Sequence, residues 1–261
     1  MERTKHGEFN WVDLTAQDLK TQSAFYEALF GWQYTDVPLI QDMTYRLFQV
    51  DGHSVTGMFQ LPPSVAAQGV PGGWNTYFRV DDVDAAATKA AGLGAHVISP
   101  AMDVPGQGRQ ATIQDPEGAH ISFWKPAQTD DSTQYMLPGR YSWNELNTRD
   151  PGKAISFYSA LLGWEIEQIM QDPSPYWQIK VDGEAEASLT PMPSMVPSEV
   201  PAYWLVYFGA ADAKATVARA VELGGKVLVP ATEIPGMLVW GVLQDPAGAA
   251  FAVFQALRPA S

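Results

Sequence analysis

The strongest constraint on this chain is that it repeats itself. Trp11-Val12-Asp13-Leu14-Thr15, then Asp18 and the run Ala24-Phe25-Tyr26-Glu27-Ala28-Leu29-Phe30-Gly31-Trp32, returns 132 residues later. The second copy reads Trp143-Asn144-Glu145-Leu146-Asn147, Asp150 and Ser156-Phe157-Tyr158-Ser159-Ala160-Leu161-Leu162-Gly163-Trp164. One fold is therefore used twice, and 261 residues divide into two domains of ordinary size. The expected division is 1–126, a polar linker at 127–138, and 139–261.

Within each half, strand-like stretches lead into aspartates placed to cap helices: Asp18, Asp82, Asp150 and Asp212. Pro151 suits a first helical position, and Gly31 and Gly163 suit the left-handed residue that ends a helix. Leu19, Phe25, Tyr26, Leu29 and Phe30 should form the buried face of the first helix. Asp51-Gly52 and Asp182-Gly183 fit tight hairpins. Asp115-Pro116-Glu117-Gly118 and Asp245-Pro246-Ala247-Gly248 fit turns between the last two strands of each half. A fainter repeat sets Asp18 against Asp82 and Gly31 against Gly94, so the unit is a βαβββ module used four times in an α+β fold. Two modules joined edge to edge are expected to curl into a half-open barrel whose concave side is a pocket.

Charge and composition narrow the function. A net charge of −13 argues against a sequence-independent grip on nucleic acid, which needs clustered Lys and Arg. Without cysteine there are no disulfides, thiolate ligands or thiol nucleophiles. No run of eighteen apolar residues and no apolar leader is present, so the expectation is a cytoplasmic protein with no membrane partner. Nine Trp, ten Tyr and eleven Phe are enough to line a cavity with flat faces as well as to fill cores.

Phe25-Tyr26 with Leu29-Phe30-Gly31-Trp32, Phe157-Tyr158 with Leu161-Leu162-Gly163-Trp164, and the two Asp-Pro turns carry a family resemblance. With them the chain resembles the vicinal oxygen chelate (VOC) superfamily of glyoxalase, bleomycin-resistance and extradiol-dioxygenase proteins. Trp-x-Asp/Glu-Leu ahead of Phe-Tyr in both halves is similar to the tandem glyoxalase-like proteins of actinobacteria, a mycobacterial antigen of similar size among them. The resemblance implies a tandem VOC fold, four modules in two half-open barrels. Metal-dependent members place His, Glu or Gln on the first and last strands of the modules. Matched to this sequence, those positions fall on Trp11, Asn75 and Ser122, then on Trp143, Leu205 and Ala252, with the loosest near Thr56 and Ser188. None is a good ligand for a divalent ion, and His6, His53, His96 and His120 lack metal-binding spacing. No metal and no cofactor is therefore expected.

Alternation along a strand puts Trp11, Asp13 and Thr15 on one face, and Trp143, Glu145 and Asn147 on another. If those faces line the pockets, Asp13 and Glu145 are candidate general acid/base groups walled by Trp; the structural alternative is a salt bridge or a bond to a loop N–H. His120, Ser122 and Trp124 share a face, and His120 would pair with Asp13; its alternative is a partly exposed strand histidine. The matching Ala250, Ala252 and Phe254 are hydrocarbon, so one pocket should be polar and the other apolar. Trp74 and Trp204 are candidates to stack on a planar ligand, with core packing as the alternative. The expected partner is a small, largely apolar metabolite, aromatic or carbonyl-bearing, handled by metal-independent acid/base catalysis. Sequestration in the manner of bleomycin-resistance proteins is the alternative, and a metal-dependent lactoylglutathione-lyase-like or dioxygenase-like enzyme the second. Either a monomer or a homodimer is compatible, since the tandem can supply its own partner.

Overall fold

The computed structural model describes residues 5–38, 43–67, 72–128 and 135–257. The polar opening at 1–4, part of the Pro/Gly-rich connection at 68–71 and the centre of the linker at 129–134 lie outside them. The first module is β1 (Phe9–Ala16), α1 (Leu19–Phe30), β2 (Gln33–Pro38), β3 (Thr44–Val50) and β4 (His53–Gln60). After a one-turn helix α2 (Pro63–Ala66) comes the second: β5 (Gly73–Arg79), α3 (Val83–Gly92), β6 (His96–Val104), β7 (Gly108–Gln114) and β8 (His120–Pro126). The third is β9 (Tyr141–Thr148), α4 (Pro151–Leu162), β10 (Glu165–Met170), β11 (Tyr176–Val181) and β12 (Glu184–Pro191). The fourth is β13 (Tyr203–Gly209), α5 (Ala213–Glu222), β14 (Lys226–Ile234), β15 (Leu238–Gln244) and β16 (Ala250–Ala256). Hydrogen-bonded strand order is β2-β3-β4-β1-β5-β8-β7-β6 in one mixed sheet and β10-β11-β12-β9-β13-β16-β15-β14 in the other.

Local chemistry fixes these elements. All four aspartates cap helices, accepting from Thr21, Ala85, Lys153 and Ala215 backbone N–H groups. Gly31 and Gly163 end α1 and α4 at φ 71°, a left-handed value that costs a glycine little. Asp51-Gly52 and Asp182-Gly183 both have positive φ, as a two-residue hairpin turn requires. The buried face of α1 differs from the expected one. Gln22 and Ser23 are buried with Phe25 and Tyr26, while Leu19, Leu29 and Phe30 are only half-buried. Gln22 is buried because its amide has a partner in the core, the Asp245 carboxylate 2.6 Å away.

By packing, the chain forms two compact units, each drawing on both sequence halves. One comprises Met1–Trp11, Asn75–Asp131 and Asn144–Leu205; the other comprises Val12–Trp74, Ser132–Trp143 and Val206–Ser261. Each unit is built around one buried carboxylate in an Asp-Pro turn. Asp245 Oδ1 accepts the N–H groups of Ala247 and Ala249, both at 3.0 Å, and Oδ2 accepts the Tyr26 hydroxyl at 3.1 Å besides Gln22. Trp74 Nε1 donates to the same Tyr26 hydroxyl at 3.1 Å. In the other unit Asp115 Oδ1 accepts from Glu117 and Ala119, Oδ2 accepts the Tyr158 hydroxyl at 2.8 Å, and Trp204 Nε1 donates to Tyr158 at 3.0 Å. Burial pushes both phenols well above their ordinary range, so they act as neutral donors. Burial also raises Asp115, against the lowering pull of its Tyr158 and backbone N–H bonds.

The tryptophans that follow Gly31 and Gly163 close the same cores. Trp32 Nε1 donates to the Gly139 carbonyl at 2.7 Å, and Trp164 Nε1 to the Gly7 carbonyl at 2.9 Å. Their rings lie 5.4 and 5.3 Å from Tyr26 and Tyr158, stacked at 17° and 19°.

Candidate functional site

Strand alternation sorts the candidates. On β1, Val12, Leu14 and Ala16 are fully buried on the core face, which leaves Trp11, Asp13 and Thr15 on the other. On β9 the second face carries Trp143, Glu145 and Asn147. Asp13 is 3% exposed, so its carboxylate is turned away from bulk water. In the parallel pairing of β1 with β4, Asp13 lies opposite Gly57 and Thr15 opposite Phe59. Thr56, the loosely aligned candidate on β4, points the other way: it is fully buried and its hydroxyl donates to the Val12 carbonyl at 2.9 Å. Gly57, one residue on, is the position on the face of Asp13, because successive strand residues point to opposite faces.

Gly57 is there for a reason of space. A Cβ at this position would overlap the Tyr45 ring, which lies across the glycine, stacks on Phe59 at 6.3 Å and brings its hydroxyl 3.5 Å from Asp13 Oδ2. An isolated glycine inside a strand pattern is the one signal that marks such a close approach. In the second copy Glu145 lies opposite Ser188, whose hydroxyl is 3.4 Å from Glu145 Oε2. Burial, and then the Glu145 charge, raise the Tyr203 phenol. Gly57→Ser, which installs the residue of the second copy, should drive Tyr45 off Asp13 and cost about 1–3 kcal/mol. A chemical-denaturation midpoint equal to wild type would contradict this packing.

The module β5–β8 supplies a second polar set. Asn75 Nδ2 donates to Ser122 Oγ at 2.9 Å, and Ser122 Oγ lies 2.7 Å from Thr112 Oγ. Tyr77, the Cα partner of Ser122, sits edge-on to Trp124 with centroids 6.5 Å apart. The matching residues of the second copy are Leu205, Val242 and Ala252, so this set is polar in one copy and hydrocarbon in the other. Thr112 and Tyr203 carry no sequence signal beyond their place in strands that alternate.

Two of the candidate aromatics face the cores. Trp74 and Trp204 precede Asn75 and Leu205 by one residue and so lie on the opposite, core face. Their indoles donate to Tyr26 and Tyr158 inside the units, with Trp204 only 6% exposed, and the core alternative holds for both. His120 stands at the start of β8 opposite Gln114, exposed as a residue; surrounding protein lowers its pKa, and Asp115 is the carboxylate that opposes this.

No three His, Cys, Asp or Glu side chains gather into a metal-binding group among the described residues. The strand positions at issue hold indole, amide, hydroxyl and hydrocarbon groups, a donor set that does not fit a divalent ion.

A βαβββ module used four times in two mixed eight-stranded sheets, with polar groups on the strand faces turned from the cores, defines a tandem glyoxalase-fold protein. Residues 8–123 match the Glyoxalase/Bleomycin resistance protein/Dioxygenase superfamily model, and residues 144–254 a Glyoxalase-like domain model. The chain is 37% identical over 257 residues to "Putative glyoxylase CFP32" of Mycobacterium tuberculosis, covering 98% of this chain and 96% of that protein. It is 33% identical to the anthracycline biosynthesis protein DnrV of Streptomyces peucetius, covering 98% and 95%. The chain therefore belongs to the glyoxalase/bleomycin resistance protein/dioxygenase superfamily. Among solved structures, the Mn(II)-bound glyoxalase from Novosphingobium aromaticivorans shares the fold at TM-score 0.63 and 15% identity, covering 99% of this chain and 84% of that one. The 2,2',3-trihydroxybiphenyl 1,2-dioxygenase of Sphingomonas wittichii RW1 does so at TM-score 0.64 and 13% identity, covering 97% and 91%. Among the described residues, no helix is long and apolar enough to cross a membrane.

Proposed function

We propose that this protein binds a small, largely apolar metabolite, aromatic or carbonyl-bearing, and works on it by acid/base chemistry with Asp13 and Glu145. The observation that carries the reading is the buried Asp13 carboxylate beside the Tyr45 phenol, brought together across a glycine. A carboxylate out of bulk water takes a proton from an activated C–H or O–H more readily than a hydrated one, and a phenol beside it can steady the charge. Glu145 with Ser188 places a second carboxylate beside a hydroxyl in the other copy. The DnrV relative supports an aromatic ligand, since its name places it in anthracycline biosynthesis.

A panel of aromatic and carbonyl compounds, screened by tryptophan quenching and then by mass spectrometry for product, tests this. Asp13→Asn and Glu145→Gln should each lower turnover by roughly 10²–10⁴ while leaving affinity within a few-fold. Turnover unchanged in both variants would sink the catalytic role. Sequestration is the second reading, favoured by the hydrocarbon set Leu205, Val242 and Ala252; it predicts quenching with no product by any compound.

A further inference from the structure

A duplicated chain contains its own control for which buried polar groups the fold requires. The second module packs α3 on β6, β7 and β8, and Ala111, Ile113, Ile121 and Phe123 form its fully buried apolar face. Asn75, Thr112 and Ser122 stand on the other face of β5, β7 and β8, joined in the chain of contacts given above. Ser122 is fully buried, and Asn75 Oδ1 is buried without a hydrogen-bond partner among the described residues. An unpaired buried amide oxygen is unfavourable, and native proteins hold few of them.

The second copy builds the same strand pairing without these groups. Thr112 lies opposite Ser122 on β7 and β8, and Val242 opposite Ala252 on β15 and β16. With Leu205 at the place of Asn75, the fold closes there on hydrocarbon. Folding therefore does not call for the polar set, and its unpaired oxygen needs another explanation. We propose that Asn75, Ser122 and Thr112 form a recognition site for a neutral hydroxyl group on the apolar ligand, whose O–H donates to Asn75 Oδ1.

The direction of the hydrogen bonds follows from the donors. Asn75 gives an N–H to Ser122, Ser122 can pass its own hydrogen to Thr112, and the buried amide oxygen is left as an acceptor. No member of the set is charged, which suits an alcohol or phenol better than an anion or an ammonium group. Tyr77 and Trp124 flank it with aromatic surface. This inference rests on the reading of the protein as a binder of apolar metabolites, and adds the head group and the half of the chain that reads it.

The test transplants the second copy into the first. Asn75→Leu, Thr112→Val and Ser122→Ala together should leave Tm unchanged or raise it by roughly 2–4 °C, because an unpaired buried group is removed. Calorimetric titration with 2-naphthol and 2-methoxynaphthalene, which differ in the hydroxyl hydrogen, should show wild type preferring 2-naphthol by about tenfold, with the preference lost in the triple variant. Ser122→Ala alone should weaken the preference partway. A fall in Tm on making the triple variant, or a preference that survives it, would overturn the site. Equal binding of both probes to wild type would overturn it while leaving the apolar-ligand reading intact. No binding of either probe would overturn both.

Discussion

Replacing Asp245 by alanine should lower the unfolding free energy by roughly 3–5 kcal/mol, the range for removing one partner of a buried charged network. One carboxylate, 2% exposed, accepts the N–H groups of Ala247 and Ala249, the Gln22 amide and the Tyr26 hydroxyl. Its loss strands four donors, three of them in buried bonds, and a buried donor costs more unpaired than it contributed when paired. Asp115→Ala should behave alike in the other unit, where Glu117, Ala119 and Tyr158 lose their acceptor. Tyr26→Phe is the graded comparison. It removes the hydroxyl that links Trp74 to Asp245 but keeps the ring, and should cost about 1–3 kcal/mol. Equilibrium denaturation reads all three, and an Asp245→Ala loss below that of Tyr26→Phe would refute the carboxylate as the centre of its unit.

The second large effect concerns the halves of the chain. Residues 1–126 expressed alone should not yield a folded monomer, nor should residues 139–261, although each is a complete sequence repeat. Within 1–126, Tyr26 has lost Asp245 and Asp115 has lost Tyr158. Trp32 has lost the Gly139 carbonyl, and Trp164 in the other fragment has lost that of Gly7. The ring contacts of Phe25 and Phe30 with Phe251, and of Phe30 with Phe208, go as well, and their apolar surface is left to water. Because Asp115 and Asp245 occupy equivalent turns, two copies of 1–126 can pair Tyr26 of one with Asp115 of the other, so self-association is the expected escape. Mixing the two fragments should restore a single cooperative transition. A monomeric 1–126 fragment with its own sharp melt would contradict the interleaved units.

Local features are legible in the sequence, and partnerships of long sequence separation are not. Asp18, Asp82, Asp150 and Asp212 announce helices because a cap bonds within three residues of itself. Asp51-Gly52 and Asp182-Gly183 announce hairpins because positive φ is a property of the residues themselves. The partnership of Tyr26 with Asp245 spans 219 residues and leaves no trace in periodicity. It is also why Gln22 lies in the core, against the pattern of the helix that carries it. At the candidate site, alternation placed Asp13 and Glu145 on a face away from the core. Trp74 and Trp204, open in the sequence to either stacking on a ligand or core packing, donate their indole N–H groups to Tyr26 and Tyr158, a choice that rests on partners 48 and 46 residues away. Gly57 carries no signal of which residue approaches it, because a glycine shows its purpose only when the ring lying across it is known.

We propose that organic side chains hold the ligand at the strand positions that the family resemblance assigns to metal ligands in metal-dependent members. Titrating the purified, chelator-treated protein with Mn(II), Ni(II) and Zn(II) by calorimetry tests it directly. No stoichiometric binding is expected, and aromatic ligands should quench tryptophan equally with and without excess EDTA. One tightly held ion per chain, lost on Asn75→Ala or Asp13→Asn, would contradict it.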